Sequence, residues 1–311
     1  MDNKIYDLII IGTGPAGLTA SIYASRYHLN HLVLGSKEGG SLSLAAEVEN
    51  YPGFKKIAGL DLANKMMEQA EAFGVEILAK ETTGIEKKDG VFKVQFDGGK
   101  FLQAKTIIIA TGTERRKLNV PGETEYLGKG VSYCTTCDGN FFKEKVVAMV
   151  GGSNAAALGT YHLSNIVSKI YLIYRKKPLR AEPFWRERIE KESNIEIIYE
   201  TNVVEILGDE GKVTKIKLDK PYKNNQELTL DGVFIEIGGA PGTQLAIPLG
   251  VDLDGSGFIK VSSDMKTNIE GIFAAGDVAN ATGEFHQIVT ATAEGALAAN
   301  SVYKYLKGGQ K

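Results

Sequence analysis

Cysteine is almost missing from this chain: of 311 residues only Cys134 and Cys137 are thiols. Two cysteines cannot build the disulfide framework of a small secreted domain, so a reducing cytoplasm is the expected setting. Histidine is nearly as scarce, with His28, His31, His162 and His286 the only four. Excess charge of one sign is also absent. A formal net charge of -2 argues against a general binder of nucleic acid or acidic membranes. Long apolar runs are lacking: Leu8 to Ile11, "LIII", is far too short to cross a bilayer. The opening "MDNKIYD" is polar, with no apolar segment of signal-peptide length, and low-complexity tracts do not occur.

What remains is an ordinary globular composition, 43% hydrophobic and 24% charged, on a chain long enough for two cores. "YDLIIIG" reads as a strand buried on both faces, "TGPAGLTASIYASRY" as a helix and "HLVLG" as the next strand. The same grammar returns mid-chain in "KVVAMVGG", "NAAALGTYHLSNIVS" and "KIYLIY". Two βαβ units at half-chain spacing predict an α/β fold with two Rossmann-like dinucleotide-binding domains. Buried strands close on small residues in "TIIIATG" and in "GIFAAGD", one before the second repeat and one after it. That placement splits the first domain. Crossings are expected near Thr113–Lys117 and Gly239–Gln244, giving domains 1–114, 115–242 and 243–311. The terminal "KGGQK" is expected to fray.

Gly12, Gly14 and Gly17 in "GTGPAG" make G-x-G-x-x-G between strand and helix. The first permits the turn, the second lets a pyrophosphate reach backbone and the third lets helix pack on strand. Pro15 and Ala16 complete this turn, with its free N–H groups at the positive end of a helix dipole. An acid for a ribose hydroxyl is expected about twenty residues on. Glu38 in "GSKEGGS", with Gly40 beside it, lies close to that offset, although a solvated loop glutamate reads equally well.

The second turn, "GGSNAA", departs from the pattern: Gly151, Gly152, Ser153 and Asn154 place a side chain where the second glycine belongs. That Cβ is expected to crowd a pyrophosphate. Arg175, Lys176 and Arg180 in "YRKKPLR" then supply cations where an NAD site would carry an acid, which suits a 2′-phosphate. A solvated basic loop is the plain alternative.

The cysteines sit in "SYCTTCDG". Structural zinc needs about four ligands, and nothing draws the scarce histidines to this segment. A pair of small buried residues is a second reading. A redox pair is the third, because C-x-x-C closes a small ring and lowers the pKa of the attacking thiol. Thiol exchange on a chain with two nucleotide sites calls for a flavin between them, since a flavin passes two electrons either way. Asp138 follows the pair and can act as proton donor or as a turn residue binding local amides.

These segments resemble the low-molecular-weight, bacterial-type thioredoxin reductases. "GTGPAG", "EVENYPGF", "IIIATGTERR", "GKGVSYCTTCDG", "SNIVSKIYLIYRK", "GVFIEIGGAP" and "GIFAAGDV" occur in that family's order from about Tyr6 to about Tyr305. The resemblance implies a homodimeric FAD enzyme that takes electrons from NADPH and reduces a thioredoxin-like protein. It implies Cys137 against the flavin, Cys134 as the thiol attacking the partner's disulfide, and Asp138 as the acid. It also implies FAD contacts at Gly12, Gly14, Gly17, Asn50, Thr111, Gly112, Gly276, Asp277 and Gln287. Lys129 and Phe141 fall where the family meets thioredoxin. Departures gather at the second turn: Ser153, Leu158 and Gly159 replace a glycine and two acids, and Tyr174-Arg175-Lys176 replaces His-Arg-Arg. A relative fed by ferredoxin or another carrier therefore stays open. So do a thiol oxidase running in reverse, with oxygen as acceptor, and a non-catalytic nucleotide module with structural zinc.

Overall fold

The computed structural model describes residues 4–283 and 285–308, so the three C-terminal residues of the tail expected to fray lie outside it. In chain order, the first segment contains β1 (Ile5–Ile11), α1 (Pro15–Arg26), β2 (His31–Leu34), α2 (Gly59–Glu71), β3 (Glu76–Leu78), β4 (Thr82–Lys88), β5 (Val91–Phe96) and β6 (Lys100–Ile109). β7 (Thr113–Arg115) leads into β8 (Val131–Ser132), α3 (Thr135–Asp138), β9 (Val146–Gly151), α4 (Asn154–Ser164) and β10 (Lys169–Tyr174). There follow α5 (Pro183–Lys191), β11 (Ile195–Tyr199), β12 (Val203–Asp209), β13 (Lys212–Tyr222), β14 (Asn225–Thr229) and β15 (Gly232–Glu236). The chain returns through β16 (Gly239–Pro241) to β17 (Ile272–Ala274) and α6 (Ile288–Gly308).

Two compact units result, one of residues 1–114 with 240–311, the other of residues 115–239. In the first, the sheet order is β3-β2-β1-β6-β5-β4, with β17 also on β6. β6 is long enough to serve two partners along one edge. Its first half pairs antiparallel with β5, and Ile107–Ile109 pair parallel with β17. Strand alternation sends Ile9 and Ile11 to one face and Leu8 and Ile10 to the other, and all are buried. One face meets the alanine-rich sides of α1 and α6. A Cβ on Gly295 of α6 would lie 2.1 Å from Ala16 O, so the two helices cross with almost no space between backbones.

The second unit has the parallel order β11-β10-β9-β15-β8 beside an antiparallel layer, β12-β13-β14. Val147, Met149, Ile170 and Leu172 pack on α4 and α5, while Ala148, Val150 and Ile173 pack toward the antiparallel layer. Each unit is thus built on a covered sheet with parallel central strands, the α/β Rossmann-like architecture with ligand-binding strand ends.

Candidate functional site

The first glycine turn sits in the first unit, between β1 and α1. Gly12 has φ +124, and a Cβ there would lie 2.1 Å from Ala110 O. A Cβ on Gly17 would lie 1.9 Å from Gly12 O, so the helix can approach its strand only without one. Gly14 is the N-cap of α1 and is different: an added Cβ would meet only Gly40 Cα, at 4.0 Å. The turn is crowded below and open where a phosphate would lie. Loop residues after β2 fold back on it, through Thr13 Oγ1 donating to Lys37 O at 2.6 Å. Glu38 follows on that loop, exposed to solvent.

Other expected contacts lie in the same unit. Thr111 and Gly112 follow β6, and Thr111 Oγ1 donates to Gly242 O at 2.8 Å. Gly276 follows β17, where a Cβ would come within 2.8 Å of the Ala16 methyl. Burial pushes the neighbouring Asp277 carboxyl up, and among the described residues it accepts no hydrogen bond. A half-buried carboxyl without a donor is suited to receive a ligand hydroxyl. Asn50 and Gln287 are far apart in sequence, yet Asn50 Nδ2 donates to Gln287 Oε1 at 2.9 Å. The residues present therefore fit a dinucleotide such as FAD. Sequence reasoning missed three neighbours. Glu294 is 5% exposed and accepts from Gly276 N at 2.7 Å. His286 has a buried Nε2 with no partner among the described residues. Thr13 carries the loop bond already described.

The second unit holds the cysteines and the second turn. Cys134 and Cys137 are joined by a disulfide with Cα atoms 5.4 Å apart, so both sulfurs are taken up by each other and neither is left for a metal. Among the described residues, no group of three or more His, Cys, Asp or Glu side chains could hold a metal ion. Cys134 caps α3, and its Sγ accepts from Cys137 N at 3.1 Å. That N–H is placed to stabilise a thiolate on Cys134. Gly139 and Gly159 let this segment lie close on α4: Cβ atoms there would come within 2.9 Å of Leu163 and 3.0 Å of Thr135.

Asp138 ends α3 and, among the described residues, its carboxylate accepts from no local amide, as that of a simple turn residue would. Its Oδ2 accepts from Ser132 Oγ at 2.6 Å, and the same hydroxyl accepts from Cys134 N at 3.0 Å. Ser132 thus joins the acid to the cysteine backbone. Behind the pair, Tyr133 OH donates to Glu123 Oε1 at 2.5 Å, and burial with this bond pushes the phenol up. Glu123 also accepts from Leu118 N at 2.8 Å and Asn119 N at 2.6 Å. Lys129 and Phe141 are both exposed, Phe141 at 75%.

At the second turn, Gly151 has φ +152, and a Cβ would lie 2.2 Å from Glu236 O. Ser153, the N-cap of α4, has φ -87 and ψ 177 and makes no side-chain capping bond. Its backbone matches that of Gly14, at φ -77 and ψ -179. Ser153 thus leaves the turn's backbone undistorted, since extended backbone accepts any side chain, and its Cβ projects where the pyrophosphate was expected to be crowded. Gly152 lies against the Tyr174 ring, where a Cβ would come within 2.3 Å. Arg175, Lys176 and Arg180 lie exposed on the loop after β10, and Asn154 sits in the first turn of α4. The free N-cap hydroxyl and adjacent cations are a donor set that fits a phosphorylated nucleotide.

Comparison with known proteins decides the family. The model for "Pyridine nucleotide-disulphide oxidoreductase" matches residues 6–295. A thioredoxin reductase of Listeria innocua is 42% identical over 98% of this chain and 95% of its own length. The chain belongs to the thioredoxin reductase family. Within that family, the solved thioredoxin reductase of Lactococcus lactis aligns with a TM-score of 0.93 and 38% identity, covering 97% of this chain and 99% of that one. A ferredoxin-flavin thioredoxin reductase of Clostridium acetobutylicum aligns with a TM-score of 0.55 and 33% identity, covering 100% and 99%. This family member is accordingly an enzyme, a thioredoxin-disulfide reductase and a flavoprotein. Among the described residues, no helix is long and apolar enough to cross a membrane.

Proposed function

We propose that this enzyme reduces the disulfide of a thioredoxin-like protein with Cys134 as nucleophile, drawing electrons from NADPH. The carrying observation is the cap geometry of α3, in which Cys137 N donates to Cys134 Sγ. When bound, FAD supplies the two-electron exchange that links nicotinamide to dithiol chemistry. The residues of the first glycine turn, with Asn50, Asp277 and Gln287, would hold it.

In the reduced pair, a Cys134 thiolate attacks one sulfur of the partner disulfide and displaces the other as thiolate. Cys137 then attacks Cys134 Sγ, regenerates the internal disulfide and releases the partner's second thiolate. Two protons complete the partner's dithiol. Asp138, held by Ser132 and directly after Cys137 in the chain, can relay one of them. Lys129 and Phe141 offer a charge and an apolar surface for docking. We further read the enzyme as a cytoplasmic homodimer.

Cys134→Ser tests the assignment. Turnover with thioredoxin should fall to background while flavin reduction persists; unchanged turnover would refute it. Ser153, Leu158 and Gly159 favour a second reading, in which ferredoxin or another carrier replaces NADPH. Anaerobic mixing with NADPH separates the donors. Bleaching of the flavin within seconds supports NADPH, whereas persistence for hours supports the carrier.

A further inference from the structure

The loop that bears the cations is tied to the second glycine turn by four hydrogen bonds. Gly152 O accepts from Arg180 N at 2.8 Å and from Ala181 N at 3.0 Å. Asn154 Nδ2 donates to Glu182 Oε1 at 2.9 Å, and Glu182 N donates to Asn154 Oδ1 at 2.8 Å. The second pair is reciprocal: a carboxylate and a backbone N–H together fix the orientation of the asparagine amide. Glu182 is also the N-cap of α5, directly before Pro183. One residue therefore ends the loop, opens a helix and grips the first turn of α4.

A carboxylate close to a phosphate site is electrostatically unfavourable in itself, so its presence calls for a positional reason. We infer that Glu182 is a positioning residue. It holds the Arg175–Arg180 loop in register with the glycine turn, and so selects nucleotides that carry a 2′-phosphate. This rests on the reading of NADPH as donor. Loose cations would attract any polyanion, with weak and screened preference. A loop fixed at Gly152 and Asn154 presents them at a set distance from the pyrophosphate position, which makes recognition of the extra phosphate directional.

Calorimetry on the FAD-loaded protein tests this with two redox-inert ligands, adenosine 2′,5′-bisphosphate and adenosine 5′-monophosphate. Wild type is expected to prefer the bisphosphate. Glu182→Ala removes the acceptor for Asn154 Nδ2 and should reduce that preference about tenfold, the loss of one charge-assisted bond. Glu182→Gln keeps an acceptor oxygen and should restore it. Should the alanine variant fail to fold, Glu182→Asp, one methylene short of Asn154, gives the same ratio. An alanine variant that retains the preference, or binds both ligands equally more weakly, overturns the inference and leaves the NADPH reading standing. A glutamine variant that behaves like alanine also overturns it. A wild type with no preference overturns both.

Discussion

The two glycine turns share a backbone and differ in how tightly their helices are drawn in. Gly12 and Gly151 both have positive φ and both yield space to a carbonyl of the adjacent strand, that of Ala110 or Glu236. Gly14 and Ser153 adopt nearly the same extended N-cap conformation. They part at the third position. Gly17 has no room for a Cβ, whereas Ala156 carries one in the second turn. The three letters of the motif are thus unequal: the first is demanded by backbone, the third by helix approach, and the middle one only by the ligand. A serine in the middle is the mildest departure available.

The sharpest way to break that comparison is Gly17→Ala. Its methyl would have to displace Gly12 O, so the purified protein should lose its yellow colour, read as the ratio of flavin to protein absorbance. Full flavin content would remove the steric argument. Ala156→Gly, the reverse change in the second turn, should leave flavin content untouched.

Buried carboxylates extend the contrast between the units. Glu123 is 2% exposed and accepts three hydrogen bonds, from Leu118 N, Asn119 N and Tyr133 OH. Asp277 accepts none from the described residues. The first is a bolt beneath the cysteines; the second waits for a ligand. Glu123→Ala should lower unfolding free energy by about 3 kcal/mol in a denaturant titration, because three donors lose a charged acceptor. A change well under 1 kcal/mol would be inconsistent with a buried bolt.

Acid sharpens the contrast further. Hydrogen bonds from Lys169, Lys223 and Tyr222 hold the Glu196 carboxyl down at about 2, against an ordinary value of 4.5. A depressed carboxylate stabilises the folded state above its unfolded pKa, and that contribution disappears as pH falls from 4.5 toward about 2. Glu196→Gln should remove that limb from a pH series of unfolding. Asp277 has the opposite sign: burial raises it, so its contribution is complete below 3.8 and is lost as pH rises through the raised value. Asp277→Asn should make the flavin-stripped protein more stable at neutral pH while weakening FAD binding. The smallest effect is expected from Ser153→Gly. With the backbone already in place, NADPH affinity should change by no more than about threefold, which is under 1 kcal/mol.

Local motifs were readable in the sequence because their causes are local. "GTGPAG" needs only strand, turn and helix in succession, and "CTTC" needs only two sulfurs one turn apart. The roles of Glu123, Ser132 and Glu182 were not readable. Glu123 reaches Tyr133 and Glu182 reaches Asn154 across intervening strands and loops, and isolated glutamates at such positions look like solvated surface. Ser132 was visible as a letter of "SYCTTCDG", but its link to Asp138 depends on how α3 winds. Ser153 adds a related point: a motif records which residue is usual and not which backbone angle it adopts, here nearly that of Gly14.

The first unit is assembled from both ends of the chain. β6 gains its parallel neighbour only from Ile272–Ala274, and α1 gains α6 only from residues after 287. During synthesis the inserted unit is complete when residue 239 has emerged, while Ile107–Ile109 of β6 still lack their partner strand on one edge. A ribosome that stalls between those points therefore displays a finished thiol-bearing module beside an open, isoleucine-rich sheet. Truncated chains of that length should aggregate more readily than the full chain.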